Sequence, residues 1–297
     1  MSVADSDAGR SYLPGILYIC AGILFLTAMD GVAKWLVEAD YSPFQVLAVR
    51  GWIITTVLLA WSWRSAGGLR RLATARPMHH ALRTAIGFLA PFSFFSALKE
   101  MPLADATVVF FGAPFMMAAL SVPLLKEHVG LHRWGAIVVG FVGVVIALQP
   151  GEGTFQAAAF LVLGGSLAYS LINIMGRWMG RTETAFQMVF YFNFGTALIA
   201  TCALPFVWQD MPLEHLGVIG ILAALAIVGH IFMTKAFFSA PVGVVAPFEY
   251  TALIWSTLIG FLVWGDWPVP SIWIGAGVIA ASGLYLVHRE GLNRRRS

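Results

Sequence analysis

Residues 97–125 read ALKEMPLADATVVFFGAPFMMAALSVPLL, and residues 236–264 read AFFSAPVGVVAPFEYTALIWSTLIGFLVW. Each opens on an alanine, Ala97 or Ala236, reaches a proline five residues on, Pro102 or Pro241, and continues as a long apolar run. An acidic residue, Glu127 or Asp266, closes each run. The copies lie 139 positions apart, and in that register Glu249 stands where the first copy has Phe110. A motif used twice, in runs of this length, predicts a duplicated membrane fold in which one carboxyl breaks the equivalence.

Composition places the whole chain in lipid. Of 297 residues, 59% are hydrophobic and 11% charged, against about 25% charged in a soluble domain. The mean hydropathy is +0.80. Apolar runs of about 20 residues recur, each long enough for a helix to cross roughly 30 Å of hydrocarbon. A large buried α/β core does not repeat charge-poor runs of that length. Ten spans are predicted, at 13–35, 43–63, 78–98, 102–125, 133–148, 155–178, 184–208, 213–238, 242–264 and 271–287. The expected fold class is all-α integral membrane, ten transmembrane helices arranged as two inverted five-helix repeats. The repeats cover residues 13–150 and 151–288, between a polar tail, 1–12, and a basic tail, 289–297. The first residues lack a basic n-region, so the first span is read as retained. Cys20 and Cys202 fall in different halves and supply neither a disulfide framework nor a metal site.

Basic residues orient the chain. With the N-terminus inside, Arg64, Arg70, Arg71, Arg76, Arg83, Lys126, Arg133, Arg177, Arg181, Lys235 and the tail arginines fall on the cytoplasmic side. The outer side receives Lys34 and Lys99, which is the asymmetry of the positive-inside rule. Both termini are therefore expected in the cytoplasm. Trp61, Trp63, Trp134 and Trp178 mark inner ends of spans, and Trp35, Trp208, Trp264, Trp267 and Trp273 mark outer ends, as aromatic belts do. The duplication extends beyond the opening pair. Asp30-x-x-x-Lys34-Trp35 echoes Asn173-x-x-x-Arg177-Trp178, and Phe44-Gln45 echoes Phe186-Gln187. Trp134, Gly135 and Gly143 echo Trp273, Gly275 and Gly283. A unit with an odd number of spans, used twice, turns the second copy upside down, as in many secondary transporters.

With these openings, the acidic Glu127 and Asp266 and the Trp-Gly-rich fifth and tenth spans, the chain resembles the drug/metabolite transporter superfamily of the EamA type over essentially its whole length. The resemblance implies an export carrier in a bacterial inner membrane. It also implies a central cavity lined by helices one, three, four, six, eight and nine. The aromatic amino acid exporters of that superfamily are similar in length and aromatic content.

Polar groups in hydrocarbon are expensive, about 2.5–3.5 kcal/mol for a mid-helix charge on the insertion scale, so each one draws attention. Glu249 follows Pro247 and shares a projected face with Val242, Val245, Ala252, Ser256 and Gly260. It is the proton-coupling candidate, or else a structural acid bonded to a neighbouring helix. His230 is a candidate for a substrate carboxylate, or a satisfied structural donor. Ser166, Ser170, Asn173 and Arg177 follow at steps of four, three and four, with Tyr169 beside them, and so share a helix face. Asp30 belongs to a shorter stripe with Thr27 and Lys34, either lining a cavity or forming an i,i+4 pair with Lys34. Arg50 attracts an anion, snorkels outward or pairs with Asp30. Asp105 favours the start of its helix. Phe88, Phe111 and Trp255 are aromatic candidates for the substrate, and Pro91, Pro114 and Pro247 are candidate hinges.

No metal site or cofactor is expected. The expected partners are a small-molecule substrate (an amino acid or analogue) and membrane lipids, with no nucleic acid; glycines in spans five and ten pack within the monomer or form a homodimer seam. The expected function is alternating-access export of small amphipathic metabolites, first among them aromatic or hydrophobic amino acids. The alternatives are a drug, nucleoside or other metabolite carrier, a facilitative uniporter, a channel or a membrane-embedded enzyme. HExxH, GxSxG and P-loop motifs are absent, so an enzyme has no motif to stand on.

Overall fold

The computed structural model describes residues 12–65, 68–125, 131–148, 155–240 and 242–294. Lys126, Glu127 and Pro241, most of the N-terminal tail and the last arginines lie outside the described residues. Twelve α-helical segments are described: α1 Leu13–Glu38, α2 Pro43–Arg64, α3 Pro77–Ala97, α4 Leu103–Phe110, α5 Ala113–Leu125, α6 Leu131–Leu148, α7 Phe155–Met179, α8 Ala185–Val207, α9 Leu213–Ser239, α10 Val242–Val245, α11 Thr251–Trp264 and α12 Pro270–Arg294. A 3-10 turn, Gly68–Leu72, follows α2, and a 3-10 segment, Ala246–Tyr250, joins α10 to α11. No strand occurs among the described residues.

Prolines set several of the starts. Pro43 and Pro77 open α2 and α3, Pro102 and Pro212 precede α4 and α9, and Pro270 opens α12. A proline there gives up a backbone donor that has no helical acceptor anyway. Thr184 and Gln187 form a capping box on α8, and Gly265, at φ 73°, ends α11 in the left-handed conformation.

Among the described residues, seven segments have the length and hydropathy to cross a membrane, including residues 103–125 and 246–264 taken across their breaks. α6 and α12 add shorter apolar stretches, Trp134–Leu148 and Pro270–Leu286. Large apolar side chains such as Phe206, Phe238 and Leu262 point outward, which suits hydrocarbon as the outer solvent. All-helical structure meets the need to satisfy every backbone group inside lipid.

The two motif-bearing spans, read from sequence as proline-broken helices, are both interrupted. α4 stops at Phe110 and α5 begins at Ala113; the second copy passes through 3-10 geometry between α10 and α11. Pro114 sits in the first turn of α5 and Pro247 in the first turn of the 3-10 segment, where a missing N–H is tolerated. The breaks meet. Phe111 and Tyr250, equivalent in the 139-residue register, stack with ring centroids 5.0 Å apart at 26°. Pro91, by contrast, lies inside an unbroken α3.

The closest helix pairings join α1 to α9, α3 to α7, α2 to α8 and α6 to α12. Each is antiparallel. In α1–α9, Gly15 lies against Ala240 and Gly22 against Gly229; in α2–α8, Gly51 lies against Ala197. In α6–α12, a Cβ on Gly275 would come within 2.7 Å of the Gly143 carbonyl, an approach only glycine permits. Gly140, Gly143, Gly275 and Gly283 of the fifth and tenth spans are thus used inside the chain, while a Cβ on Gly135 or Gly277 would meet nothing within 4 Å among the described residues.

Candidate functional site

Where the bundle's two halves meet, a cavity of about 220 Å³ is lined by α1, α2, α3, α4, α7 and α8. Its polar groups are Asp30 of α1, Arg50 of α2, Tyr169 of α7, and Asn193 and Thr196 of α8. Its walls include Phe94, Phe95, Phe110 and Phe192, and Pro91 contributes from α3. The expected lining was helices one, three, four, six, eight and nine, and this cavity shares the first four of them. The second and seventh spans, α2 and α8, take the places given to the eighth and ninth, because Gly51 lets α2 sit directly on Ala197 of α8 and carries Arg50 inward with it.

Arg50 carries the main electrostatic feature. Its Nε is buried without a hydrogen-bond partner. Its guanidinium lies over the Phe95 ring, 5.9 Å from the centroid. It attracts Asp30 through space, yet among the described residues no carboxylate comes within 4.0 Å of it. Asp30 makes no hydrogen bond or ion pair with the described residues. The expected Asp30–Lys34 pair does not form; Lys34, 4% exposed, turns to Glu38 at 2.6 Å and donates to the carbonyls of Leu98 and Met101. Thr196, 5% exposed, also leaves its hydroxyl unbonded.

The ends of the bundle are tied across the halves. At one end, Gln45 donates to the Gln209 carbonyl (2.7 Å) and accepts from its N–H (3.0 Å), while Tyr41 shares a 2.7 Å hydrogen bond with His215. At the other, Gln187 donates to the Ala73 carbonyl, Tyr191 donates to Leu72 O (2.7 Å), and His80 donates to Glu183 at 3.1 Å. Burial pushes the Glu183 carboxyl up, but hydrogen bonds from His80 and Thr74 and the nearby charges of His80 and Arg76 outweigh it and hold it below the usual carboxylate range.

A model of the EamA-like transporter family matches residues 13–149 and again residues 156–288. This chain belongs to the EamA-like transporter family. Full-length relatives are similar throughout. The S-adenosylmethionine uptake transporter of Rickettsia felis (strain ATCC VR-1525 / URRWXCal2) is 27% identical over 285 residues, covering 96% of this chain and 96% of the relative. The riboflavin transporter of Rhizobium johnstonii (strain DSM 114642 / LMG 32736 / 3841) is 28% identical over 297 residues, covering 98% and 96%. The riboflavin transporter of Vibrio cholerae serotype O1 (strain ATCC 39315 / El Tor Inaba N16961) is 26% identical, covering 96% of each. A solved crystal structure shares the fold, with a TM-score of 0.62 at 22% identity over 94% of this chain and 99% of its own. The protein is thus a multi-pass membrane protein of a bacterial transporter family.

In this EamA-like bundle the residues singled out in sequence divide. Asp30, Tyr169 and Pro91 line the cavity. Ser166 and Ser170 are fully buried and bond to the carbonyls of Phe110, Val162, Ala113 and Ser166, tying α7 to α4 and α5. Asn173 donates to the Tyr169 carbonyl one turn back. His230 is bonded to the Ala226 carbonyl at 2.6 Å, outside the cavity lining. Phe88 stacks with Phe44 and Phe92, and Phe111 stacks with Tyr250. Trp255 packs with Ile19, Ile23 and Ala236 between α1 and α9. Glu249 lies in the 3-10 segment, half-buried and without a hydrogen bond or ion pair to the described residues, within electrostatic reach of Tyr169 and Tyr250. Its projected face does not exist, because a 3-10 turn of three residues breaks the 3.6-residue register. Among the described residues no three His, Cys, Asp or Glu side chains gather as a metal site.

Thr196 and Asn193 are polar cavity residues that sequence reasoning passed over, although it had matched Phe192, on the same helix, to Arg50. The signal for them was the position of α8 as the equivalent of α2 in the Phe44-Gln45/Phe186-Gln187 register.

Proposed function

We propose that this chain is a ten-span secondary carrier that moves a small metabolite by alternating access, with the cavity around Asp30 and Arg50 as its transport site. The observation that carries the reading is this pair of unbonded, oppositely charged side chains facing one cavity built from both halves. Charge at that depth is expensive unless it serves a solute path. Equivalent helices α2 and α8 cross antiparallel, as do α6 and α12, which supports two inverted repeats and a rocking motion about Pro91, Pro114 and Pro247. The positive-inside asymmetry supports both termini in the cytoplasm of a bacterial inner membrane.

The relatives' names favour a metabolite carrier over an amino acid exporter. Export of aromatic amino acids has no support among them, and solutes bearing a flat heterocycle, S-adenosylmethionine and riboflavin, become the leading substrate candidates. The cavity is smaller than the roughly 300–1,000 Å³ of pockets enclosing drug-sized ligands, which fits a conformation that must widen to admit such a solute. The test is counterflow in proteoliposomes with labelled S-adenosylmethionine, riboflavin and phenylalanine. Saturable flux, accelerated by unlabelled solute on the opposite side, is the expected result; non-saturable flux would mark a channel and sink the carrier reading.

Glu249 is the proposed coupling group, a carboxyl beside the break in the ninth span. Glu249→Gln should abolish accumulation driven by a pH gradient while preserving counterflow. Equal gradient-driven accumulation in the variant would remove Glu249 from the coupling step.

A further inference from the structure

We propose that the rim of the bundle formed by the α2–α3 and α7–α8 connections is a docking surface for anionic phospholipid headgroups, held by Arg64, Arg70, Arg71 and Arg181. In the proposed orientation this is the cytoplasmic rim. The inference concerns the membrane around the protein and depends neither on the solute nor on the central cavity.

Charge is the first observation. From Tyr41 to Lys99 the sequence has no acidic residue, while Arg64, Arg70, Arg71 and Arg76 follow one another from the end of α2 to the start of α3. The α7–α8 connection, bolted to this one through Gln187 and Tyr191, adds Arg181. Its one acid, Glu183, is 5% exposed and already bonded to His80. Arg64, Arg70, Arg71 and Arg181 are all exposed. None of the four makes an ion pair or a side-chain hydrogen bond with the described residues. The described residues thus supply no counter-charge to this cluster.

Geometry is the second. The 3-10 turn Gly68–Leu72 buries Leu72 and leaves Leu69, Arg70 and Arg71 exposed. The Arg71 guanidinium lies over both rings of the T-shaped Trp61–Phe186 pair, 5.5 and 5.6 Å from their centroids. Ring contacts of this kind engage the face of a guanidinium and leave its N–H edges for an acceptor. A planar fork of donors matches a phosphate bidentately. Trp61 belongs to α2 and Phe186 to α8, so both halves build this cradle. The third observation is what stands among the charges. Trp63 and Met78 are 74% and 76% exposed, and Leu69 is exposed beside Arg70. Such apolar groups suit the headgroup boundary, where they sink toward the acyl chains while the guanidinium groups stay with the phosphates. A soluble anion would meet the charges and leave the tryptophan and methionine in water. An anionic lipid answers both, and arginines clustered directly beside a span attract it.

The test uses the purified full-length chain in neutral-detergent micelles, titrated with phosphatidylglycerol or with phosphatidylcholine of the same acyl chains. The unfolding midpoint is followed, because the turn that carries Arg70 and Arg71 is bonded to α8 and headgroups held there tie the two halves together. Half-maximal stabilisation should need at least about tenfold less phosphatidylglycerol than phosphatidylcholine. That preference should shrink as salt rises from about 0.1 M to about 1 M and the screening length falls from about 10 Å to about 3 Å. The double variant Arg64→Gln, Arg70→Gln removes two side chains that bond to none of the described residues. It should lower the preference by about fivefold for each arginine removed and leave the midpoint in phosphatidylcholine unchanged. Equal stabilisation by the two lipids would overturn the proposal, as would a preference that the double variant keeps in full. Glycerol 3-phosphate stabilising as well as phosphatidylglycerol at the same concentration would mark a site for soluble anions and overturn the lipid assignment.

Discussion

At the scale of single residues, charge decides which readings of the sequence survive. Spacing alone allowed Asp30 to pair with Lys34 or to face a cavity. The structure separates them because Lys34 has a better set of partners: the Glu38 carboxylate, two carbonyls from the α3–α4 connection, and the Trp264 ring at 5.2 Å. Lys34 thus pins α1, α3 and α11 together. Lys34→Met should cost about 1–3 kcal/mol, because it leaves the buried Leu98 and Met101 carbonyls without their donor while Glu38 keeps the Trp264 indole N–H, measured by unfolding in mixed micelles. Ser166 and Ser170, on the clearest polar stripe in the sequence, prove to be bolts between helices. A helical wheel shows that side chains share a face, and it carries no information on which neighbour that face meets. Glu183 was invisible for the same reason. Its carboxyl is held below the usual range, so its stabilising contribution is full above about pH 4.3, the ordinary glutamate value, and is lost as pH falls through the depressed folded value. Melting temperature should therefore fall more on acidification in the wild type than in Glu183→Gln, read by scanning fluorimetry between pH 7 and pH 3.

At the scale of elements, the informative features are two interruptions. The likeness of residues 97–125 and 236–264 was legible, and so was the proline in each. That the two breaks meet was not, because a proline marks where a helix breaks and not what the break faces. What decides it is a contact between distant parts of the chain, the Phe111–Tyr250 stack. Tyr250 is held from behind by α12, where its hydroxyl end occupies the space a side chain on Gly283 would need. Gly283→Val should therefore displace Tyr250 and unstack the pair, at roughly 1–3 kcal/mol for overpacking. Transport should suffer more than stability if both breaks move during the cycle; counterflow rate set against unfolding midpoint checks this.

At the scale of the whole molecule, the sequence echo Phe44-Gln45/Phe186-Gln187 acquires a physical meaning. Gln45 binds the backbone after α8, and Gln187 binds the backbone after α2. Each copy of the motif clamps the other half, at opposite ends of an antiparallel pair. The duplication and the all-helical membrane class were readable from composition and pattern. The cavity was only partly so, since which helices face inward depends on close approaches such as Gly51 on Ala197. Because the closest pairs run between halves, residues 1–150 and 151–297 expressed as separate chains in one cell should assemble and co-purify, and neither alone should resist proteolysis. Protease-resistant isolated halves would show that each folds independently.

The crossing of α1 with α9 also sets a schedule for synthesis. α1 leaves the ribosome roughly two hundred residues before its partner, which at about 5–20 residues per second is a delay on the order of ten seconds or more. Through that interval Gly22 has no Gly229 to meet. α2, bearing Arg50, likewise precedes α8 and the wall that completes the cavity. The nascent first half must be sheltered by the insertion machinery or by lipid until the second arrives, so overproduction faster than membrane insertion should yield degraded first halves rather than truncated second ones.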